Sequence, residues 1–419
     1  MPYARPAYRP PAAPRPHQHR LPRVTYWRRR SVVLLSLAAV TFIAYLVITL
    51  FFALLNPSYG SSLSTRASQW GRQHGLASVV NWGATESYHW DMPKKGGTPP
   101  KGSFGTGALT KTYAAPNVLA PPVDIVPPLK AALPGEGVWH VVGRTTANGI
   151  PTMYEAFVRP DKVHTSYVVG VVWMDTNLLT AQLYSGSQIP GGGRFWHQAP
   201  ISAAKSKTLV AAFNSGFVMQ DAHGGYYTDD HAFKKLRNGA ASVVIFKNGR
   251  MTVAKWGRDV VMTNQIATVR QNLDLIVDNS KVVHGLRDPT STKWGRAIGP
   301  NDDVWRSGLG ITPTGALVYV GGPGMSLSDL ANVMLRAGVE EGMELDYGLD
   351  WVQLSTFTGT PGTVIDASDG QRLLSSMPGA PDRYFGSFWQ HDFFTMSLRD
   401  NELRRTIATT TTTTTTTPG

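Results

Sequence analysis

The stretch that decides the fold is residues 309–350, LGITPTGALVYVGGPGMSLSDLANVMLRAGVEEGMELDYGLD. Its first part predicts a β-hairpin, because apolar runs at 309–312 and 316–320 flank the turn-forming sequence Pro313-Thr314-Gly315. Residues 343–346 are strand-like and predict another strand. The hairpin and this strand together indicate an antiparallel sheet.

An amphipathic helix is predicted between that hairpin and that strand. Its apolar residues recur at intervals of three and four, the spacing of one buried helix face. They are Leu327, Leu330, Ala331, Met334 and Leu335. Ser326 and Asp329 predict a capping box at the start of the helix, and Gly338 predicts a left-handed residue that ends it.

Two further hairpins are predicted before this stretch. The apolar runs are 242–246 and 251–256 around Asn248-Gly249, and 273–277 and 281–283 around Asp278-Asn279. Three successive hairpins with few helices predict an α+β fold, with a mixed, largely antiparallel sheet domain.

The N-terminal part predicts a transmembrane helix at residues 32–55, which hold no charged side chain and are long enough to cross a bilayer. Eight arginines and no acidic residue precede Ser31, so we expect a cytoplasmic N-terminus and a main domain outside the cytoplasm. The rival interpretation is a cleaved signal peptide, although its apolar core is usually only about 7 to 15 residues. We therefore expect a single-pass protein of the cell membrane.

The sequence predicts five parts. They are a basic cytoplasmic tail (1–31), the transmembrane helix (32–55), a juxtamembrane segment with a Gly/Pro-rich linker (56–137), an extracytoplasmic domain (138–400) and a disordered Thr-rich tail (401–419).

Charge and cysteine content exclude several classes of function. The formal net charge is +12, but eight of these charges lie before Ser31, beside the anionic inner leaflet. The remainder is only mildly basic, so we expect no nucleic-acid partner. The chain has no cysteine, which excludes disulfides, thiolate metal sites and a cysteine nucleophile. Such cysteine avoidance fits a bacterial cell envelope.

Four motifs in one order make the chain resemble the phosphodiester glycosidase family. The family carries an Asn-Gly-Gly-Phe-Phe motif after a strand, an Arg-Thr-Ala-Ile-Gly-like strand, a Gly-x-Ser/Thr-Leu-x-Glu/Asp-Leu-Ala helix and an Asn-Leu-Asp-Gly-Gly-Gly-Ser loop. The counterparts are Asn214-Ser215-Gly216-Phe217-Val218, Arg306-Ser307-Gly308-Leu309-Gly310, Gly324-Met325-Ser326-Leu327-Ser328-Asp329-Leu330-Ala331 and Glu344-Leu345-Asp346-Tyr347-Gly348-Leu349-Asp350. The resemblance covers roughly residues 160–360 and implies a hydrolase for a phosphate-linked sugar or cell-wall glycan.

The resemblance also implies site residues. Arg306 would hold the phosphate, and Asp346 would act as general base or orient water. Asp350 is the candidate partner of Asp346 because a turn at 346–350 would present both carboxylates at a sheet edge, and paired carboxylates divide acid and base roles in many glycosidases. The implied substrate-binding residues are Asn214, Ser215, Gly216, Phe217, Ser307 and Gly348. We expect the Arg306 guanidinium, the Asn214 amide and the Asp346 carboxylate to converge on one hollow.

Structural alternatives to these roles stay open. An arginine can be tied to a structural carboxylate, and aspartate in a turn often accepts only backbone hydrogen bonds. The family's Gly-Gly-Gly-Ser is replaced here by Tyr347-Gly348-Leu349-Asp350, and Ser215 replaces a glycine. A catalytically inactive domain that binds glycan or protein is therefore a second hypothesis, and a membrane scaffold is a third.

No cofactor and no metal site are predicted. Binding of a divalent cation by one polar loop stays an alternative, although the spacing of its residues matches no metal motif. The loop contains Asp221, His223, Asp229, Asp230 and His231. An aromatic run at 385–394, with Trp389, His391 and Asp392, is predicted to close the core.

Overall fold

The computed structural model describes residues 23–60, 62–90, 92–105, 117–288, 290–291, 293–294, 302–378, 381–385 and 390–399. The chain divides into two compact units, Met1–Leu55 and Asn56–Gly419. Most of the predicted basic tail, part of the predicted linker and the whole Thr-rich tail lie outside the described residues. The predicted boundaries of the five parts stay predictions.

The described part of the first unit is one helix, α1 (Arg23–Leu55). Its segment Trp27–Leu55 has a mean hydropathy of 2.5 and is long and apolar enough to cross a membrane. The hydroxyls of Thr41 and Thr49 donate to carbonyls four residues earlier, so the helix itself satisfies these polar groups. A membrane span and a signal sequence both fit such a helix.

The second unit contains the other helices and all described strands. The helices are α2 (Leu63–Gln73), α3 (Ala77–Trp90), α4 (Ala203–Ser206) and α5 (Leu327–Arg336). The strands are β1 (His140–Thr145), β2 (Pro151–Val158), β3 (Val169–Met174), β4 (Leu179–Tyr184), β5 (Leu209–Asn214), β6 (Tyr226–Thr228), β7 (His231–Lys234), β8 (Ala241–Phe246), β9 (Met251–Lys255), β10 (Ile266–Gln271), β11 (Leu275–Asp278), β12 (Lys281–Val282), β13 (Val304–Ile311), β14 (Leu317–Met325), β15 (Glu341–Tyr347), β16 (Leu354–Phe357), β17 (Gly370–Arg372) and β18 (Phe393–Leu398).

The strands form three sheets. The first has eight strands in the order β1-β2-β3-β14-β13-β15-β11-β12. The second has the order β7-β6-β10-β8-β9, and the third has the order β17-β16-β5-β18-β4. Paired strands in the described sheets are antiparallel, including the three predicted hairpins β8–β9, β11–β12 and β13–β14. The predicted α+β fold is confirmed.

Helix α5 forms as its sequence predicts. The Ser326 hydroxyl accepts from the Asp329 N–H, and the Asp329 carboxylate accepts from the Ser326 N–H. Gly338 has a φ of +84°, so the left-handed stop is present. The apolar face of α5 packs with residues of the eight-stranded sheet in one hydrophobic cluster.

Part of the predicted linker, residues 117–137, contacts the sheets rather than extending away from them. Ile125 is 1% exposed, and its N–H donates to the Gly137 carbonyl at 2.9 Å. The Gly137 N–H in turn donates to the Phe157 carbonyl of β2. Glu136 also forms a buried ion pair with Arg159 at 2.6 Å. Although this segment is rich in Gly and Pro, its backbone N–H and C=O groups form hydrogen bonds with each other and with the sheet.

Candidate active site

A cluster of polar residues lies where strands of the three sheets meet. Asp346 is the penultimate residue of β15, Asn214 ends β5, and Asp392 directly precedes β18. Arg270, from β10, reaches the same cluster. The cluster thus combines residues from all three sheets.

Ser307 and Asn214 hold the backbone of this cluster. The Ser307 hydroxyl donates to the Asp346 carbonyl at 3.0 Å and accepts from the Asp346 N–H at 3.2 Å. The Asn214 amide nitrogen donates to the same hydroxyl at 3.0 Å. The Asn214 oxygen accepts from the Tyr319 hydroxyl and the Gln353 N–H. Both side chains therefore join the first sheet to the third.

Asp346 is only 7% exposed. Burial raises its pKa well above the usual value, and the negative charge of Glu344 acts in the same direction. A hydrogen bond from the Tyr347 N–H, at 2.8 Å, opposes this effect. Among the described residues, no lysine or arginine forms an ion pair with Asp346. Its environment therefore favours the protonated carboxyl group.

His391 lies beside this carboxyl group, with Nδ1 3.9 Å from Asp346 Oδ2. Burial and the charges of Arg270, Arg383 and Arg72 lower the His391 pKa to about 3, so the imidazole is neutral at neutral pH. Its ring stacks on Trp351 with a centroid distance of 3.9 Å. The stacking fixes the plane of the ring against the cluster.

Asp392 is the second buried carboxylate of the cluster. Its Oδ2 forms an ion pair with Arg270 Nε at 2.8 Å. Its Oδ1 has no hydrogen-bond partner among the described residues, and the same holds for Ser215 Oγ and Tyr384 Oη. These residues line a cavity of about 10 Å³ together with Asp346 and His391. That volume and those polar groups suit one water molecule.

Two larger cavities lead to the same residues. One, of about 70 Å³, is lined by Phe217, Asp346, Trp351 and His391 among others. The other has a volume of about 390 Å³, and four of its lining residues also line the 70 Å³ cavity: Gln69, Arg72, Val218 and His391. Helix α2 forms one wall, because Gln69 Nε2 lies 3.3 Å from His391 Nε2 and Arg72 pairs with Asp221 at 3.5 Å. We call the two cavities together the α2 cleft.

The sequence of this region matches a known family. The profile of the phosphodiester glycosidase family matches residues 207–349. The predicted family resemblance is confirmed. The glycosidase-like segment contains Asn214 and Asp346, whereas His391 and Asp392 come later in the chain.

Two solved structures are similar to this chain. One is the catalytic domain of zebrafish N-acetylglucosamine-1-phosphodiester alpha-N-acetylglucosaminidase, auto-inhibited by its pro-peptide (12% identity, 62% of this chain and 88% of that chain, TM-score 0.40). Another is a hypothetical protein from Synechocystis (11% identity, 60% of this chain and 63% of that chain, TM-score 0.33). No curated protein matches the chain.

Within the glycosidase-like segment, several of the implied residues lie together. Asn214, Ser215 and Asp346 line the smallest cavity, and Phe217 lines the α2 cleft. Gly216 packs against Asn272, whose Cγ would lie 2.8 Å from an added Cβ. Asn272 accepts from the Phe217 N–H and donates to the carbonyls of Glu344 and Leu345. It therefore ties the loop after β5 to β15, next to Asp346.

Arg306 does not converge with these residues. Its side chain is fully buried, and Nη1 forms an ion pair with Glu344 Oε1 at 2.5 Å. Nε and Nη2 donate to the carbonyls of Met325 and Asp302. Arg306 lines neither the smallest cavity nor the α2 cleft. These contacts are those of an arginine paired with a structural carboxylate, which is the alternative role stated above for Arg306.

Asp350 and Gly348 shape the turn after β15. The Asp350 carboxylate accepts a hydrogen bond from the Thr65 hydroxyl of α2, and the Asp350 carbonyl accepts from Gln353 and Arg383. Gly348 has a φ of +92°, a conformation that favours glycine. Neither residue lines the cavities that contain Asp346. The second carboxylate at Asp346's cavity is Asp392 instead.

Sequence reasoning assigned His391 and Asp392 to core closure and missed Gln69, Arg72 and Arg270. Phe393 and Phe394 do lie in the core, but the two residues before them line the cavities. A usable signal was present, because His391-Asp392 directly precedes an apolar strand just as Asp346 ends one. The polar loop at 221–231 is the alternative site for a divalent cation. Among the described residues, its side chains form no cluster with the geometry of metal ligands.

Proposed function

We propose that the protein is a membrane-anchored glycosidase that hydrolyses a phosphate-linked sugar or glycan of the bacterial cell envelope. The observation that carries the proposal is the pair of buried carboxyl groups, Asp346 and Asp392, at one water-sized cavity. Their environments differ, because Asp346 has a raised pKa and no lysine or arginine paired with it among the described residues, whereas Asp392 is paired with Arg270. Glycosidases divide acid and base roles between two such carboxyl groups.

In the proposed reaction Asp346 is the general acid. It donates its proton to the phosphate oxygen as the bond between that oxygen and the anomeric carbon breaks. Asp392 Oδ1, which has no partner among the described residues, accepts a proton from a water molecule in the cavity. The oxygen of that water bonds to the anomeric carbon. The products are the free sugar and a phosphate monoester.

Arg72 is the proposed contact for the substrate phosphate. It lies on the wall of the α2 cleft, and its side chain is 19% exposed. A guanidinium binds phosphate through two parallel hydrogen bonds. Its partner Asp221 is 43% exposed and lies at 3.5 Å, so this pair is loose enough to yield to a stronger anion. The role first given to Arg306 thus moves to a cation that lines the cleft.

Helix α1 supports the proposed location. Its span carries no acidic or basic side chain after Arg30, and the arginines before it favour a cytoplasmic N-terminus. A substrate in the cell envelope would then lie on the same side as the glycosidase-like segment.

A catalytically inactive glycan-binding domain is the second candidate. It is favoured by Gln69, whose amide lies against His391, and by the bulky Tyr347-Gly348-Leu349-Asp350 sequence in place of the family's glycines. Of these residues, Gln69 and Tyr347 line the α2 cleft together with Asp346 and so narrow the route to it.

The test is turnover of a chromogenic sugar phosphodiester by the full-length protein in detergent. We expect release of the sugar from the diester in preference to the matching O-glycoside without phosphate. Asp346→Asn and Asp392→Asn should each lower kcat by about 10²- to 10⁴-fold, Arg72→Ala should raise KM, and the exposed Asp288→Asn should change nothing. Saturable glycan binding without turnover would instead support the inactive domain. Full activity of Asp392→Asn with loss in Asp350→Asn would restore the partner implied by the sequence.

A further inference from the structure

A second group of ionisable residues lies apart from the candidate active site. Asp161 and His164 belong to the loop after β2, and Asp303 directly precedes β13. They line a cavity of about 730 Å³ that shares no lining residue with the α2 cleft. The proposed hydrolysis uses none of the three.

Asp161 fixes the orientation of His164. Asp161 Oδ1 accepts the backbone N–H groups of Val163 and His164, at 2.5 and 2.6 Å, so the carboxylate cannot rotate freely. Its Oδ2 lies 2.7 Å from His164 Nδ1. Because a carboxylate only accepts, the Nδ1–H donates to Asp161, and Nε2 is the ring nitrogen left for a second partner.

The Nε2 nitrogen of His164 is directed at the third residue. The His164 side chain is only 7% exposed, so Nε2 has little contact with solvent. Asp303 Oδ2 lies 3.4 Å away. A cation between these two atoms, either a proton on Nε2 or a metal ion, accounts for their close approach.

The spacing of these atoms suits a metal ion. One candidate ligand atom from each of the three residues lies within 4.8 Å of the others. Two ligands of a tetrahedral zinc ion, with bonds of about 2.0 to 2.1 Å, are separated by roughly 3.3 to 3.4 Å. This is the observed distance between Nε2 and Oδ2. A carboxylate on the far nitrogen of the histidine is the usual outer partner of such a ligand.

We propose that Asp161, His164 and Asp303 form a binding site for a divalent transition-metal ion, with zinc as the best match. His164 Nε2 and Asp303 Oδ2 are the direct ligands, and Asp161 orients the imidazole. Water from the adjoining cavity completes the coordination. An imidazole that binds a metal is neutral, so the two carboxylates would supply two negative charges that a dication neutralises.

A metal here would connect separate parts of the second unit. It would link the loop after β2 to the start of β13, two strands that are not neighbours in the eight-stranded sheet. The Asp303 N–H also donates to the Tyr88 hydroxyl of α3 at 3.0 Å. The expected role is therefore structural, as a cross-link that raises stability without entering the α2 cleft.

The test is a zinc titration of the full-length protein in detergent after removal of metals with EDTA. We expect one equivalent to bind, measured by calorimetry, and the thermal midpoint to rise with zinc. His164→Ala should abolish both effects, and Asp303→Asn should weaken binding at least tenfold. Asp161→Asn should weaken binding by about 10- to 100-fold, the range typical of outer partners. The exposed His284→Ala is the matched control and should bind as the native protein does.

Cobalt provides a second measurement. A cobalt ion held by His164 should show a visible absorption band that is missing in the His164 variant and present in His284→Ala. If His164→Ala does not fold, circular dichroism will show it, and His164→Gln then replaces it. Absence of saturable zinc binding, or binding unchanged by loss of the His164 imidazole, would overturn the proposal. A metal-free imidazolium bridging the two carboxylates would then account for the cluster.

Discussion

Two acidic residues of β15, Glu344 and Asp346, are both buried but have different partners. Glu344 is fully buried and forms an ion pair with Arg306 at 2.5 Å. Asp346, two residues later, has no lysine or arginine in ion-pair distance among the described residues and lines cavities with the neutral His391. The same strand thus supplies one acid whose charge is compensated and one whose protonated form is favoured.

The difference teaches how to separate a structural acid from a functional one. Burial alone raises the pKa of both carboxyl groups. Only Asp346 combines this shift with access to a cavity and with a second carboxylate nearby. A raised pKa without a compensating cation costs stability, and active sites are the places where proteins retain such a cost.

The largest expected effect is on Asp346→Asn. Loss of the proton donor should lower kcat by about 10²- to 10⁴-fold, the usual contribution of a general acid. The raised pKa means that the folded state binds the proton more tightly than the unfolded state. Stability is therefore lost as pH rises from the ordinary aspartate range through the folded pKa. Asparagine removes this loss, so the variant should unfold at a higher temperature than the native protein at pH 7.

A thermal scan at pH 4 and pH 7 provides the internal control for Asp346→Asn. The increase in thermal midpoint over the native protein should be smaller at pH 4. At that pH an unfolded aspartate is already partly protonated, so folding has less protonation to impose on the native carboxyl group. Equal activity of the variant and the native protein would remove Asp346 from the chemistry.

The next effect is on Arg306→Ala, which leaves Glu344 buried without its partner. Breaking such a pair should lower the free energy of unfolding by about 3 to 5 kcal/mol, as measured in urea. The double variant Arg306→Met/Glu344→Leu should recover most of this loss, because it removes both charges. A stable Arg306→Ala protein with a raised KM would instead return Arg306 to the substrate site.

A smaller effect is expected for Gln69→Ala in α2. The amide lies 3.3 Å from His391 Nε2, so its removal widens the α2 cleft and frees that nitrogen. We expect kcat/KM for a bulky diester to rise several-fold, about 1 kcal/mol in the transition-state barrier. Ser64→Ala, at an exposed position in the first turn of the same helix that does not line the cleft, is the control. Unchanged kinetics in Gln69→Ala would mean that α2 does not restrict entry.

The smallest effect concerns Glu155 in β2, which like Asp346 forms no ion pair with a lysine or arginine in the described part of the chain. Burial raises its pKa to about 7, but it lines none of the cavities described here. The folded state therefore binds this proton more tightly, and stability should fall between about pH 4.5 and pH 7. Glu155→Gln should reduce the fall of the thermal midpoint across that pH range by a few degrees and leave kcat unchanged. A change in kcat would show that cavity access is not the deciding feature.

Local signals explain which parts of the fold could be predicted. The Asn248-Gly249 turn and the Ser326/Asp329 capping box act within a few residues, so the sequence alone indicates the hairpin and the start of α5. The apolar helix at the N-terminus is likewise a local pattern of length and composition.

The partners within the candidate site could not be predicted in the same way. Arg306 and Glu344 are 38 positions apart, and Gln69 and His391 are 322 apart. Asp350 was chosen as the partner of Asp346 because it is near in sequence, but the turn at Gly348 directs its carboxylate to Thr65. Which side chains share a cavity depends on how three sheets pack, and no spacing rule contains that information.

The contact between Gly216 and Asn272 constrains how this molecule can evolve. An added Cβ at 216 would lie 2.8 Å from the Asn272 side chain, which itself binds the loop after β5 and the backbone of β15. A larger residue at 216 is therefore tolerable only with a smaller one at 272, and that exchange forfeits three hydrogen bonds. Residues 216 and 272 should therefore covary across related sequences. A protein that lacks either Gly216 or Asn272 should have lost catalytic activity.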